Sequence, residues 1–286
     1  MKIVMVAGGS GGHIYPALTL ARECIDKGHD VFFIGANDRM EKEVIPASGF
    51  EFIGLDMKTT RGGFLQKVKS VLSLVSSYFK AKKILKEDDV DIVIGFGNYI
   101  SVPVLLAART LKIKTVIHEQ NSYVGRANRF LDEKVDLVIG SYEENLKQFK
   151  NKNLAIIGNP QSSVAIRTLK DDDYLKTFDL DPNKKTLVIF MGSLGSESVM
   201  KHILDYFKLT DGSYQILYAT GTKHYDRAKE YGNDYIKVVE RIDGIKAMKA
   251  STLLLSRAGA TTLAEITAVG MPSILIPSPY VPNNHQ

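Results

Sequence analysis

Short apolar runs recur along the chain at intervals that leave room for a helix between them. The first, Lys2-Ile3-Val4-Met5-Val6-Ala7, leads into a glycine-rich turn and then a helical pattern, Ala17-Leu18-Thr19-Leu20-Ala21-Arg22. Further runs stand at 31–35, 92–96, 115–118, 137–140 and 155–158. Near-continuous apolar runs of this length suit parallel strands covered on both faces. With helical stretches between several of them, they predict a doubly wound α/β sheet. The rhythm stops after Gly158-Asn159-Pro160, where the chain to Lys185 is polar and includes Asp171-Asp172-Asp173. It restarts at 186–190 and continues at 215–219, 236–239, 252–255 and 273–276. Two Rossmann-like domains, 1–160 and 161–286, facing one cleft are therefore expected.

In such sheets ligands bind beyond the carboxyl ends of the strands, and the polar residues of this chain cluster there. The first run is followed by Gly8-Gly9-Ser10-Gly11-Gly12-His13, with four glycines in five residues. Such a turn brings backbone close to a ligand and opens a helix whose first N–H groups attract phosphate. It is equally a plain Rossmann-type turn with His13 as a polar cap. A second glycine turn, Gly95-Phe96-Gly97-Asn98-Tyr99, follows the run at 92, and His118-Glu119-Gln120-Asn121 follows the run at 115. Asn121 and Ser122 either belong to a site or cap the next helix. In the second half Gly192-Ser193-Leu194-Gly195-Ser196 repeats the glycine turn. Ser256-Arg257-Ala258-Gly259-Ala260-Thr261-Thr262-Leu263-Ala264-Glu265 then offers amides and hydroxyls to phosphate. Glu265 either accepts from both hydroxyls of a ribose or closes a capping box with Thr262.

Composition narrows the class without choosing an activity. The chain has 286 residues, 44% of them apolar and 24% charged, enough for two ordinary soluble domains. Its single cysteine, Cys24, excludes an internal disulfide and fits a reducing compartment. The apolar start is strand-length and runs into glycines, unlike a signal peptide, and no run reaches the about 18 apolar residues of a membrane span. The net charge of +5 is uneven: residues 1–159 hold 22 Lys+Arg against 18 Asp+Glu. Nucleic-acid binding has only this modest excess behind it. Residues 61–86 carry seven basic residues (Arg61, Lys67, Lys69, Lys80, Lys82, Lys83, Lys86) and no acid. Phe64, Val68, Val71, Leu72, Val75, Tyr78 and Phe79 recur there at helical spacing. That helix either buries its apolar face in the core or presses it into a membrane whose anionic heads meet the lysines. The six histidines show no recognised metal-ligand spacing, and no metal or cofactor is expected.

Taken together, GGSGGHIYP, GFGNYISVP, IHEQN, GNP, GSLGS, SRAGATTLAEI and the final NNHQ resemble, in order and spacing, the MurG glycosyltransferases of bacterial cell-wall synthesis. The resemblance implies a GT-B fold with the site between its two domains. It also implies transfer of N-acetylglucosamine, with inversion, from UDP-N-acetylglucosamine to the lipid-linked muramyl-pentapeptide, lipid I, giving lipid II. It places Ser10, Gly11, Gly12, Asn121, Ser193, Ile242, Ala260, Thr261, Thr262, Leu263, Ala264, Glu265 and Gln286 on the sugar nucleotide. Ile242 matches the position whose backbone reads uracil, and Glu265 the ribose carboxylate. The first two glycine loops, with Gly95, Gly97, Asn98 and Tyr99, are implied to hold the acceptor pyrophosphate. The basic-rimmed apolar patch becomes the contact with the cytoplasmic face of the membrane. The transfer needs a base for the acceptor hydroxyl, and an imidazole titrating near about 6.5 suits it. His13 is the expected base, with His118 and Glu119 as orienting groups.

The chain departs from the family in two places. Gln161 and Ser162 stand where an arginine usually follows the Gly-Asn-Pro turn, so a phosphate-directed guanidinium is missing; Arg167 lies too far along to take its place. The chain also stops at Gln286, where the family continues with helices that finish the second domain, and bare sheet surface is expected to lower solubility or stability. The rival readings are another GT-B lipid glycosyltransferase, such as a diacylglycerol galactosyltransferase, and an inactive nucleotide-sugar-binding homologue. A nicotinamide-dependent oxidoreductase is disfavoured, because Ile34-Gly35-Ala36-Asn37 puts no acid at the end of the second strand.

Overall fold

The computed structural model describes residues 1–57, 64–192, 195–281 and 286, with backbone alone at 64–67. The chain divides into two compact units, one ending at Pro160 and the next beginning at Gln161. The first unit holds β1 (Lys2–Val6), α1 (Gly11–Asp26), β2 (Asp30–Ala36), α2 (Glu41–Ala47), β3 (Glu51–Leu55), α3 (Phe64–Glu87), β4 (Ile92–Gly95), α4 (Ser101–Thr110), β5 (Lys114–Glu119), α5 (Arg126–Leu131), β6 (Leu137–Gly140) and β7 (Leu154–Ile156). Its strands form one parallel sheet in the order β3-β2-β1-β4-β5-β6-β7.

Alternation along β1 explains why that strand reads as an unbroken apolar run. Ile3 and Met5 join Ile14, Ala17, Leu18 and Ala21 of α1 on one face. Val4 and Val6 join Ala81, Leu85, Val104 and Leu105 of α3 and α4 on the other. Both faces are dry, so no polar position interrupts the period of two. Strand β3 was not visible in the sequence. It is an edge strand whose only buried residue is Leu55, so little apolar signal marks it.

The second unit begins as α6 (Pro160–Arg167) enters it and contains β8 (Thr186–Phe190), α7 (Glu197–Phe207), β9 (Gln215–Ala219), α8 (Tyr225–Ala228), β10 (Ile236–Val239), α9 (Gly244–Ala250), β11 (Leu253–Ser256), α10 (Ala260–Val269) and β12 (Ser273–Leu275). Its parallel sheet runs β10-β9-β8-β11-β12. Helix α7 buries Val199, Met200, Ile203, Leu204 and Phe207, one stripe of an amphipathic helix.

Helix α3 does not turn most of its apolar stripe into the core. Ser70, Ser77, Ala81 and Leu85 are buried, with Leu74 and Tyr78 partly so. Val68, Val71, Leu72, Val75 and Phe79 are exposed, Leu72 and Phe79 at 63% each. Small residues on the inner face let the helix lie close to α4, and the larger apolar side chains are left outside. Phe64 and Lys67 have no described side chain, and Arg61 lies outside the described residues.

Ile14 is fully buried and fixes the start of α1 on the sheet. Ile14→Ala is expected to cost about 2–5 kcal/mol of stability, read from denaturant unfolding; a loss below about 1 kcal/mol would contradict the packing of α1 described here.

Candidate functional site

In the first unit β1 and β4 are neighbours, and their connections leave to opposite faces, α1 to one and α4 to the other. That is the switch point at which an open parallel sheet binds its ligand. Ser10, Gly11, Gly12, His13, Gly95, Gly97, Asn98, Tyr99, His118, Glu119 and Asn121 all lie at this carboxyl edge.

The peptide joining Gly8 and Gly9 is held at both ends. Its N–H donates to Glu41 Oε2 at 3.0 Å, and its carbonyl accepts from Asn98 Nδ2 at 3.2 Å. Gly9 has φ +86° and would place a Cβ on the Asn98 amide, so glycine is required there. Asn98 itself sits in the left-handed region at φ 65°, and its Oδ1 accepts from the Tyr99 N–H at 2.6 Å. Ser10 is the N-cap of α1; its carbonyl accepts from the His13 and Ile14 amides, and its Oγ lies 2.9 Å from His13 Nδ1. The His13 ring rests on Gly97, where a Cβ would come within 3.3 Å of it. Tyr99 lies under the Arg39 guanidinium, 5.6 Å from ring centre to Cζ, and burial raises its phenol.

His118 and Glu119 are buried and fully engaged. His118 Nε2 lies 3.0 Å from the Gly158 carbonyl, which only accepts, so that nitrogen carries the proton. Its Nδ1 then accepts from Gln120 Nε2 at 3.1 Å. Burial lowers the imidazole below its usual range, which keeps this neutral form. The Glu119 carboxylate accepts four hydrogen bonds: Asn121 N at 3.1 Å and Asn121 Nδ2 at 2.9 Å on one oxygen, Gly125 N at 2.9 Å and Asn128 Nδ2 at 3.0 Å on the other. It folds the loop after β5 and aims the Asn121 carboxamide. Asn121 and Ser122 do not cap the next helix; α5 begins after Gly125.

In the second unit Ile242 precedes Asp243, whose carboxylate caps α9 by accepting from Ile245 N at 3.1 Å and Lys246 N at 3.0 Å. Helix α10 starts at Ala260 with Gly259 as its N-cap. Thr262 and Glu265 therefore lie inside the helix, and the capping box does not form. Glu265 instead turns to α6, where Gln161 Nε2 donates to its Oε1 at 3.2 Å and Ser162 Oγ donates to the Ala264 carbonyl at 3.2 Å. Burial pushes Glu265 up to about 7; the Gln161 hydrogen bond opposes this and Asp243 adds to it. Gln286 Oε1 accepts from the Ser278 N–H at 2.8 Å. Ser193 lies outside the described residues.

Three residues that the sequence did not single out as site residues hold these loops. Glu41 lies five residues beyond β2 and is completely buried, a placement that no local pattern announces. Gln161, noticed only as a replaced arginine, is the partner of Glu265. Arg257 sits within the small-residue turn after β11. It donates to the Ile276 and Pro277 carbonyls at 3.2 and 3.0 Å and to Ser196 Oγ at 2.7 Å, which ties β12 to the N-cap of α7. Among the described residues no group of three or more His, Cys, Asp or Glu side chains is placed to hold a metal ion.

Residues 3–139 match the glycosyltransferase family 28 N-terminal domain, and residues 186–286 match the family's C-terminal domain. The chain is 40% identical over 294 residues to the UDP-N-acetylglucosamine–N-acetylmuramyl-(pentapeptide) pyrophosphoryl-undecaprenol N-acetylglucosamine transferase of Lacticaseibacillus casei, covering 100% of this chain and 81% of that one. It is 37% identical over 302 residues to the protein of that name from Caldanaerobacter subterraneus, with 100% and 82% covered. The crystal structure of Acinetobacter baumannii MurG superposes with a TM-score of 0.73 over 99% of this chain and 80% of that one, at 23% identity, a likeness of fold. The two Rossmann-like units are those of the GT-B fold, and with relatives this similar along its whole length the chain belongs to the MurG family of glycosyltransferases.

Proposed function

We propose that the chain transfers N-acetylglucosamine from UDP-N-acetylglucosamine to lipid I, with inversion, to give lipid II. The observation that carries this reading is the 40% identity, spanning 100% of the chain, with a transferase named for that reaction. The acceptor belongs to the first unit, residues 1–160, at the loops after β1 and β4. The donor nucleotide belongs mainly to the second, at the amino ends of α7 and α10.

The acceptor hydroxyl oxygen attacks the anomeric carbon, its proton passes to His13, and UDP departs from the opposite side. His13 serves as base in the tautomer whose Nδ1–H donates to Ser10 Oγ, in which Nε2 is the basic nitrogen. His118 and Glu119 take no proton in this scheme. Their hydrogen bonds are filled by the chain itself, and they set the Asn121 amide and the loop from 120 to 125. Leaving-group charge is met by amides at the amino end of α10, with Arg257 as the cation beside the third glycine loop. Glu265 receives the ribose hydroxyls, and Ile242 reads the base through its backbone.

The exposed stripe of α3 supports a peripheral place on the cytoplasmic face of the membrane. Among the described residues no helix is long and apolar enough to cross a bilayer. Lys69, Lys82 and Lys86 have no ion pair among the described residues, so their charge is available to anionic head groups flanking Leu72 and Phe79.

Transfer of labelled sugar to lipid I in detergent, with diacylglycerol as the competing acceptor, tests the reaction. Lipid I is expected to be the substrate used, and His13→Ala is expected to lower kcat about 100-fold or more. UDP binding without turnover would support the inactive reading, and preference for diacylglycerol would reassign the acceptor. Near wild-type kcat in His13→Ala would remove it as the base.

The raised Glu265 carboxyl has a signed consequence. Its folded-state value of about 7 exceeds the ordinary 4.5, so it favours the ligand-free fold at acid pH, and that contribution is lost as pH rises through 7. Ribose hydroxyls are donors and select the ionised form, so nucleotide binding and proton release are linked. UDP affinity of the wild type is expected to rise more steeply between about pH 6 and 8 than that of Glu265→Gln, read by calorimetry. Parallel slopes would remove the ribose assignment.

Co-sedimentation with anionic vesicles checks the membrane surface. Replacing Leu72 and Phe79 together by Glu is expected to lower the bound fraction about tenfold or more without unfolding the chain, since neither side chain is in the core. Unchanged binding would place the contact elsewhere.

A further inference from the structure

We infer that Glu41 is a positioning residue for the transfer, holding the peptide between Gly8 and Gly9 in one of its two orientations so that Ser10 and His13 keep their place at the acceptor end. The inference rests on the acceptor reading of the first glycine loop given above.

Glu41 has 0% of its surface exposed and no ion pair among the described residues. The Glu41 carboxylate, kept out of water, needs hydrogen-bond donors for its oxygens. It has two, Gly9 N at 3.0 Å and Ala36 N at 3.3 Å. The first belongs to a peptide flanked by glycine on both sides, the combination for which rotation of the peptide plane meets least steric resistance. At the opposite end of that peptide the Gly8 carbonyl accepts from Asn98 Nδ2 at 3.2 Å. The packing leaves no slack: a Cβ at Gly8 would overlap Glu41 Oε1, and a Cβ at Gly9 would overlap Asn98 Nδ2.

The chemistry of the two partners makes this a one-way device. Turning the peptide over would point the Gly8 carbonyl at the Glu41 carboxylate, oxygen against oxygen, and the Gly9 N–H at the donating Asn98 amide. Both contacts become repulsive together. The next residue is Ser10, whose carbonyl receives the His13 and Ile14 amides and whose Oγ meets His13 Nδ1 at 2.9 Å. The direction of one peptide therefore passes to the first turn of α1 and to the imidazole. It also commits the Gly9 N–H to Glu41, so acceptor oxygens at this loop must find their donors further along the chain.

The test compares Glu41→Gln and Glu41→Asp in the full chain. Gln is nearer to Glu in shape but can present either an oxygen or an NH2, so it tolerates both peptide orientations; Asp is shorter but remains an acceptor only. A role in shape alone ranks Gln above Asp, and a role in peptide orientation ranks Asp above Gln. In Glu41→Gln the kcat at saturating lipid I is expected to fall about 10-fold to 100-fold, with the KM for UDP-N-acetylglucosamine within about twofold of wild type. Exchange of the Gly9 amide, followed by NMR on 15N-glycine-labelled protein, is expected to be slow in the wild type and at least about tenfold faster in Glu41→Gln. Equal exchange in the two proteins, or kcat higher in Glu41→Gln than in Glu41→Asp, would overturn the inference. Gly95 and Gly140, within β4 and β6, report global stability in the same spectra: acceleration at Gly9 beyond theirs is expected, and equal acceleration at all three would overturn the inference. If His13→Ala leaves turnover unchanged while Glu41→Gln slows it and frees the Gly9 amide, the base assignment falls and the positioning role of Glu41 stands.

Discussion

Every strand within each sheet runs in the same direction, and the chemistry of the molecule follows from that constraint. A parallel sheet covered on both faces has one edge where all its strands end and all its helices begin. Amide N–H groups at helix starts, glycines that let backbone approach backbone, and short polar side chains must then meet along one line. In the first unit this line runs through Gly9, His13, Gly97, Asn98 and Asn121, drawn from three loops between 8 and 125 that are far apart in the chain. The second unit repeats the arrangement with Arg257, the start of α10 and Glu265.

Two of the buried carboxylates of the first unit, Glu119 and Glu41, show how such an edge is kept rigid. Glu119 takes four donors and folds the loop that follows its own strand. Glu41 comes from a different element and takes amides from β2 and from the first glycine turn. Neither has a cationic partner among the described residues; both accept from N–H groups, which fix the direction of each carboxylate. His118, neutral between the Gly158 carbonyl and Gln120, performs the same service for the end of β7.

Much of this could be read from the residues in order. The apolar runs located the strands because the central strands of each sheet are covered on both faces, and the motifs after them located the loops. What escaped notice was whatever depends on a partner distant in sequence. Strand β3 exists because β2 offers it an edge to pair with, and its own pattern is too weak to announce it. The Thr262 and Glu265 spacing fits a capping box, yet the helix starts three residues earlier and the carboxylate finds Gln161, 104 residues away. Glu41 drew no notice at all, because burial of a polar side chain is invisible until the elements that cover it are in place. The apolar stripe of α3 was legible as a stripe, but periodicity cannot tell which side of a helix is turned to the sheet, and here serines are turned inward.

That inward face has a wider consequence. Ser70 and Ser77 share with Ala81 and Leu85 the contact α3 makes with its own domain, and Tyr78 fastens it through Thr110 at 2.9 Å. Water alone is thus a poor solvent for this helix: its greasier side has no shelter among the described residues. Adding charge there to raise yield in a purification would strip away the surface proposed to meet the membrane. On that proposal handling and destination rest on the same five side chains, and improving one degrades the other.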